Sequence, residues 1–169
     1  VNTRNPFRPV DETARELALD LIAQARFAAL AVVHPDNGLP SISRIALATD
    51  SVGWPLTLIS DLAEHSRALE ANPACALLIG EPADKGDPLT HPRLTLHCTA
   101  RPIPRATEEH TALRARYLSQ RPKAGLYVDF ADFRFVRFEI VDGLLNGGFG
   151  KAWKMTREDL CPPSDQRTT

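Results

Sequence analysis

Apolar residues recur at Ala14, Leu17, Ala18, Leu21, Ile22 and Ala25, the spacing that lays one face of a helix against a core. Asp11 to Arg26 is therefore predicted to be an amphipathic helix with Asp11 as its cap. The uninterrupted apolar run Phe27 to Val33 follows as a strand. Pro35-Asp36-Asn37-Gly38 is a turn signal, and Leu39 to Ala48 returns with Ile42, Arg44, Ala46 and Ala48 on one face and Ser41, Ser43, Ile45 and Leu47 on the other. Asp50 to Gly53 turns the chain again into a third strand, Trp54 to Ile59.

At Ser60-Asp61 the pattern changes to helical, with Leu62 and Leu69 on one side. Asp61 and Glu64 have the spacing of a capping box, so the first turn is expected to be closed by its own side chains. Ala74 to Ile79 is a fourth strand, Glu81 to Pro92 a loop, and Arg93 to Ile103 a fifth strand alternating Leu94, Leu96 and Cys98 against Thr95, His97 and Thr99. Ala106 to Gln120 is a second clear helix, and Pro122 to Phe130 a short helical turn. Phe133 to Val141 makes the sixth strand, which Asp142-Gly143 is expected to turn back into Leu144 to Phe149.

Strands in hairpin-like succession, with helices inserted and no alternating strand–helix pattern, predict a mainly β protein with peripheral helices, a closed antiparallel barrel. A barrel this small fills its interior with side chains, so a ligand is expected outside it or between two copies. The expected organisation is one domain over residues 1–155 and a C-terminal tail over 156–169. Within that tail, Cys161 to Thr169 has too little apolar content to pack.

Composition adds bounds. The 169 residues carry a formal net charge of −1, which gives no overall electrostatic case for nucleic acid or an acidic membrane surface. No apolar run approaches the ~20 residues that span a bilayer, and VNTRNPFRPVDE has no signal-peptide core, so a cytoplasmic protein is expected. Cys75, Cys98 and Cys161 share no metal-type spacing, and no metal site is expected.

Two stretches carry candidate chemistry. Around Ser60 to Arg67 the amides of a helix N-terminus, the hydroxyls of Ser60 and Ser66 and the side chains of His65 and Arg67 converge on a volume suited to phosphate. The competing reading makes Ser60 and Asp61 caps and His65 and Arg67 a solvated face. Asn146-Gly147-Gly148-Phe149-Gly150-Lys151 allows close approach of a backbone or a ligand, or forms a bulged strand end at a dimer seam. His91 and His97 make a poor metal pair and read as core or loop residues.

The blocks RIALATD, SDLAEHSRALEANPACALLIG, GDPLTHPRLTL, RARYLSQRPKAGLYVDFADFRF and GLLNGGFGKAW, in that order, resemble the pyridoxamine 5'-phosphate oxidase-like family of FMN-binding split barrels, nearest its haem-utilisation branch. The resemblance implies a six-stranded antiparallel split barrel that forms a homodimer with FMN in a groove between the subunits. It implies Arg44 toward the flavin phosphate and the Ile45 backbone beside the isoalloxazine, with Ser60, Asp61, His65, Ser66 and Arg67 holding the rest of the cofactor. The function it implies is a flavin-dependent oxidoreductase of unknown substrate. The alternatives are a haem-binding or haem-degrading protein of iron utilisation and a non-catalytic flavin carrier. Thr49 stands where the vitamin-pathway oxidases carry lysine, Leu94 falls near a position where they carry glutamine, and their C-terminal arginine-and-histidine segment has no counterpart. The late axial histidine of haem-binding members is missing too, since His110 is the last histidine in the chain.

Overall fold

A computed structural model describes residues 6–161. Three helices, α1 (Glu12–Gln24), α2 (Glu64–Ala71) and α3 (Glu108–Gln120), surround one antiparallel sheet. Its strands are β1 (Phe27–Val33), β2 (Pro40–Ala46), β3 (Ala48–Thr49), β4 (Pro55–Ser60), β5 (Ala74–Ile79), β6 (Arg93–Pro102), β7 (Phe133–Asn146) and β8 (Ala152–Thr156). The strand order is β2-β1-β5-β6-β7-β4-β3, with β8 added to β7. The six expected strands are all present, and the short β3 and β8 join them.

The sheet curls until β2 faces β4, and there it stays split. The two edges share no ladder among the described residues; instead the buried Thr57 hydroxyl donates to the Ala46 carbonyl at 2.6 Å. The expected single strand Leu39 to Ala48 breaks at this seam, because Leu47 leaves β2 with its amide bonded to Arg26 O at 3.0 Å and the chain crosses to pair with β4. The end of α3 holds the crossing. Arg121 Nε donates to Leu47 O at 2.7 Å, while Arg116 and Gln120 donate to Thr49 O at 2.7 and 2.8 Å.

The barrel interior is filled, as its size requires, by Leu30, Leu77, Leu94, Leu96, Phe138 and Ile140 among others, closed by the Ala14–Ala18–Ile22 stripe of α1. A second apolar cluster lies outside, where Leu113 and Tyr117 of α3 pack on Leu56, Leu58 and Phe135. Asp11 caps α1 as expected, its carboxylate accepting from Ala14 N at 2.8 Å.

Two local expectations are corrected. The Asp61–Glu64 capping box does not form: α2 begins at Glu64 with Ala63 as its N-cap and no side-chain cap, because Asp61 is drawn away by Arg134. Asp142-Gly143 is not a turn but lies inside β7. Asp142 stands opposite His97 and Ile140 opposite Cys98, so Val141 is an extra residue and the pair forms a bulge. Gly143 leaves room there: a Cβ would lie 2.9 Å from Leu160 Cδ1 and 3.1 Å from Thr95 O, so the Leu160 side chain would have to shift.

Leu160 itself is buried in the barrel core, after a turn in which Asp159 accepts from Thr156 N at 2.9 Å. Most of the expected disordered tail, residues 162–169, lies outside the described residues. No helix among the described residues is long and apolar enough to cross a membrane.

Candidate functional site

The end of β4 and the start of α2 form a polar corner. Ser60 Oγ donates to Asp132 at 2.7 Å and accepts from Leu62 N at 3.1 Å, and Ser66 Oγ, fully buried, donates to Ser60 O at 2.6 Å. The Asp61 amide donates to Asp132 O at 2.6 Å. Its carboxylate lies 2.8 Å from Arg134 Nε, an ion pair in which the N–H is not aimed at the oxygen.

His65 reaches across to β2, where its Nδ1 lies 3.0 Å from Ser43 Oγ; its Nε2 is buried with no partner among the described residues. Burial lowers the pKa of His65 below the ordinary imidazole value. Arg67 is paired with Asp36 on the loop after β1, and His34 Nε2 of that loop lies 3.2 Å from Glu64.

The corner therefore gathers Ser60, Asp61, His65 and Ser66, with Arg67 at its rim. Each cation and hydroxyl except His65 already faces a carboxylate or carbonyl of the chain, so a phosphate would have to displace these contacts. Ile45 is elsewhere, buried in the barrel core. Arg44 is on the opposite face of β2, outside the barrel, with its guanidinium 5.1 Å from the centre of the Phe27 ring.

That outer face is the second candidate surface, and register defines it. One cross-sheet row runs Arg44, Ala29, Leu78, Thr95, Leu144, Lys154; the next runs Ile42, Ala31, Ala76, His97, Asp142, Thr156. The β2-β1-β5 part is apolar and built largely of small residues, with Ile42 71% and Leu78 46% exposed. A cation stands at each end of the first row. In the second, His97 Nδ1 lies 2.5 Å from Asp142 Oδ1, both side chains being partly open to solvent. The expectation that His97 is a core or loop residue is corrected: it stands half exposed on β6. Its place on the outward, polar side of that strand was legible in the Thr95–His97–Thr99 alternation, but its partner was hidden by the bulge.

The glycine segment forms the tip of the β7–β8 hairpin. Gly148, at φ +108°, passes so close to the loop before β6 that a Cβ would lie 2.6 Å from Thr90 O, and Phe149 stands 95% exposed beside it. The close approach that its glycines allow is to this chain's own backbone.

Residues 14–145 match the family model described as pyridoxamine 5'-phosphate oxidase. The chain belongs to that family. Within it, similarity runs to proteins named for haem. The chloroplastic non-canonical heme oxygenase HOZ of Arabidopsis thaliana is 42% identical over 104 residues, which cover 61% of this chain and 30% of that protein. Heme oxygenase HutZ of Vibrio cholerae is 29% identical over 130 residues, covering 73% of this chain and 71% of that one. The solved structure of a heme binding protein from Mycobacterium smegmatis superposes with a TM-score of 0.80 at 29% identity, covering 90% of this chain and 61% of that chain. This chain thus spans less than a third of the length of the Arabidopsis protein.

Proposed function

We propose that this chain binds haem on the outer face of β2-β1-β5-β6, between two copies of itself, and serves haem oxygenation. The observation that carries the reading is the apolar, small-residue face of β2-β1-β5, with Arg44 at its edge and His97 beside it on β6. Relatives named as heme oxygenases support it.

The donor set fits the group. Haem is a flat apolar ring with two carboxylates and an iron that accepts imidazole; the face offers apolar surface, guanidinium and ammonium groups, and His97. When bound, haem supplies the iron centre at which dioxygen is taken up. The chain's own residues would exclude water from the ring, hold the carboxylates and orient the macrocycle. A second copy would cover Ile42 and Leu78, which one chain leaves in solvent.

FMN at the polar corner is the second reading, favoured by one observation: His65 Nε2, beside the Ser60–Ser66 corner, is buried without a partner among the described residues. The carboxylates of Asp36, Asp61 and Asp132 that occupy the neighbouring donors oppose a phosphate dianion there.

One experiment separates the two. The purified protein is mixed separately with haem and with FMN, passed over gel filtration and scanned in the visible range. A Soret band retained on a dimer-sized peak, and lost under air with ascorbate as electron source, is expected. Flavin absorbance retained without haem would replace this reading by the second.

A further inference from the structure

We propose that His97 is the axial ligand of that haem and that Asp142 holds its ring for the purpose, an assignment that rests on the haem reading above. Five histidines of this chain could offer an imidazole: His34, His65, His91, His97 and His110. Four of these are poorly placed. His34 has Nδ1 accepting from Asp36 N at 3.3 Å and Nε2 facing Glu64. His91 is folded into its own loop, with Nδ1 accepting from Ala83 N at 3.4 Å and Nε2 3.0 Å from Lys85 O. His65 is turned inward onto Ser43 with Nε2 buried. His110 packs edge-on against Phe135, 5.3 Å between ring centres, with Arg105 and Arg114 nearby repelling a further cation.

His97 differs in each respect. It stands on the outer face of the sheet, half exposed, with Ala76 beside it on β5 and Asp142 beside it on β7. Its Nδ1 is taken by Asp142 at 2.5 Å, so the proton held there leaves the Nε2 lone pair for a metal. A ligating imidazole held through its other nitrogen by a carboxylate is the arrangement that fixes the tautomer and raises ligand basicity.

The bulge is what makes the pair. In an unbulged ladder Val141 would stand opposite His97; the bulge brings Asp142 there instead, and bulges commonly re-aim side chains in this way. A haem lying parallel to the sheet above His97 would rest on Ala76 and Leu78 on one side and on Val141, 56% exposed, on the other. Lys154, two strands away, would stand within reach of a propionate.

The test uses the full chain loaded with haem, reduced under argon and read by resonance Raman, with affinity taken from a Soret titration. The wild type is expected to show an iron–histidine stretching band. His97→Ala should abolish that band and weaken haem binding by tenfold or more, and added imidazole should restore the band. Asp142→Asn should keep it but move it to lower frequency, because the imidazole loses anionic character, with a loss of affinity of about tenfold. Unchanged far-ultraviolet circular dichroism checks the fold of both variants. A His97→Ala protein that keeps the wild-type band overturns the assignment while leaving haem binding intact. A wild type that retains no haem overturns the assignment and the reading beneath it.

Discussion

Thr57 Oγ1 donates to the carbonyl oxygen of Ala46 at 2.6 Å, across the seam where β2 and β4 approach without pairing. Thr57 is fully buried. Removing the hydroxyl while keeping the shape, as in Thr57→Val, leaves that carbonyl without its donor in a water-poor place. The expected cost is about 1–3 kcal/mol of stability, read from the urea midpoint at constant slope. A variant as stable as the wild type would mean that water enters the seam and takes over the bond.

A similar argument from close approach applies to Gly148. Its φ of +108° is strained for any L side chain, and a Cβ would stand 2.6 Å from Thr90 O. Gly148→Ala should therefore destabilise by about 1–3 kcal/mol. Gly38→Ala is the control: φ is +70° with nothing within 4 Å, so it should cost only the left-handed backbone, about 1 kcal/mol. Equal urea midpoints for the two variants would show that the hairpin tip swings clear of the Thr90 loop at no cost.

What the sequence revealed and what it hid follow from distance along the chain. Alternation and apolar runs placed the six main strands, and the helix over Glu12–Gln24 with its Asp11 cap was legible, because those signals are local. Asp61 looked like a capping residue because Glu64 is three positions on; its actual partner, Arg134, is far along the chain and nothing local announces it. Asp142-Gly143 has the composition of a hairpin turn, yet the glycine is there to admit Leu160 and the aspartate to meet His97, two long-range contacts. For the same reason the candidate cofactor residues were legible only as a list. Ser60, His65 and Ser66 do meet, whereas the period-two geometry of β2 sends Arg44 to the face opposite Ser43 and Ile45.

The exposed face of β2 makes an assembly prediction. Ile42 projects outward beside Ala31 and takes no part in the barrel core, so Ile42→Glu should leave the fold intact. Placed at the proposed interface between two copies, the two carboxylates would be buried without partners, and the proposed dimer should give way to monomer in sedimentation velocity. Haem retention should fall with it. A variant that remains dimeric would move the subunit contact to another surface and remove the second copy from the proposed haem site.

The pH dependence of stability has a sign fixed by His65. Burial lowers its pKa in the folded chain below the ordinary value of 6.5, and His110 is shifted the same way, first by burial and then by Arg105 and Arg114. As pH falls below about 6.5, the unfolded chain binds protons that the folded chain refuses, so stability is held above that pH and is lost beneath it. The urea midpoint should be lower at about pH 5.5 than at about pH 7.5. His65→Asn replaces the titrating ring by a neutral amide and should flatten part of that dependence, leaving the share due to His110. If the variant and the wild type fall in parallel, His65 accepts its proton in the folded state. Its Nε2 would then have a partner, which would also withdraw the one observation that favours FMN at the polar corner.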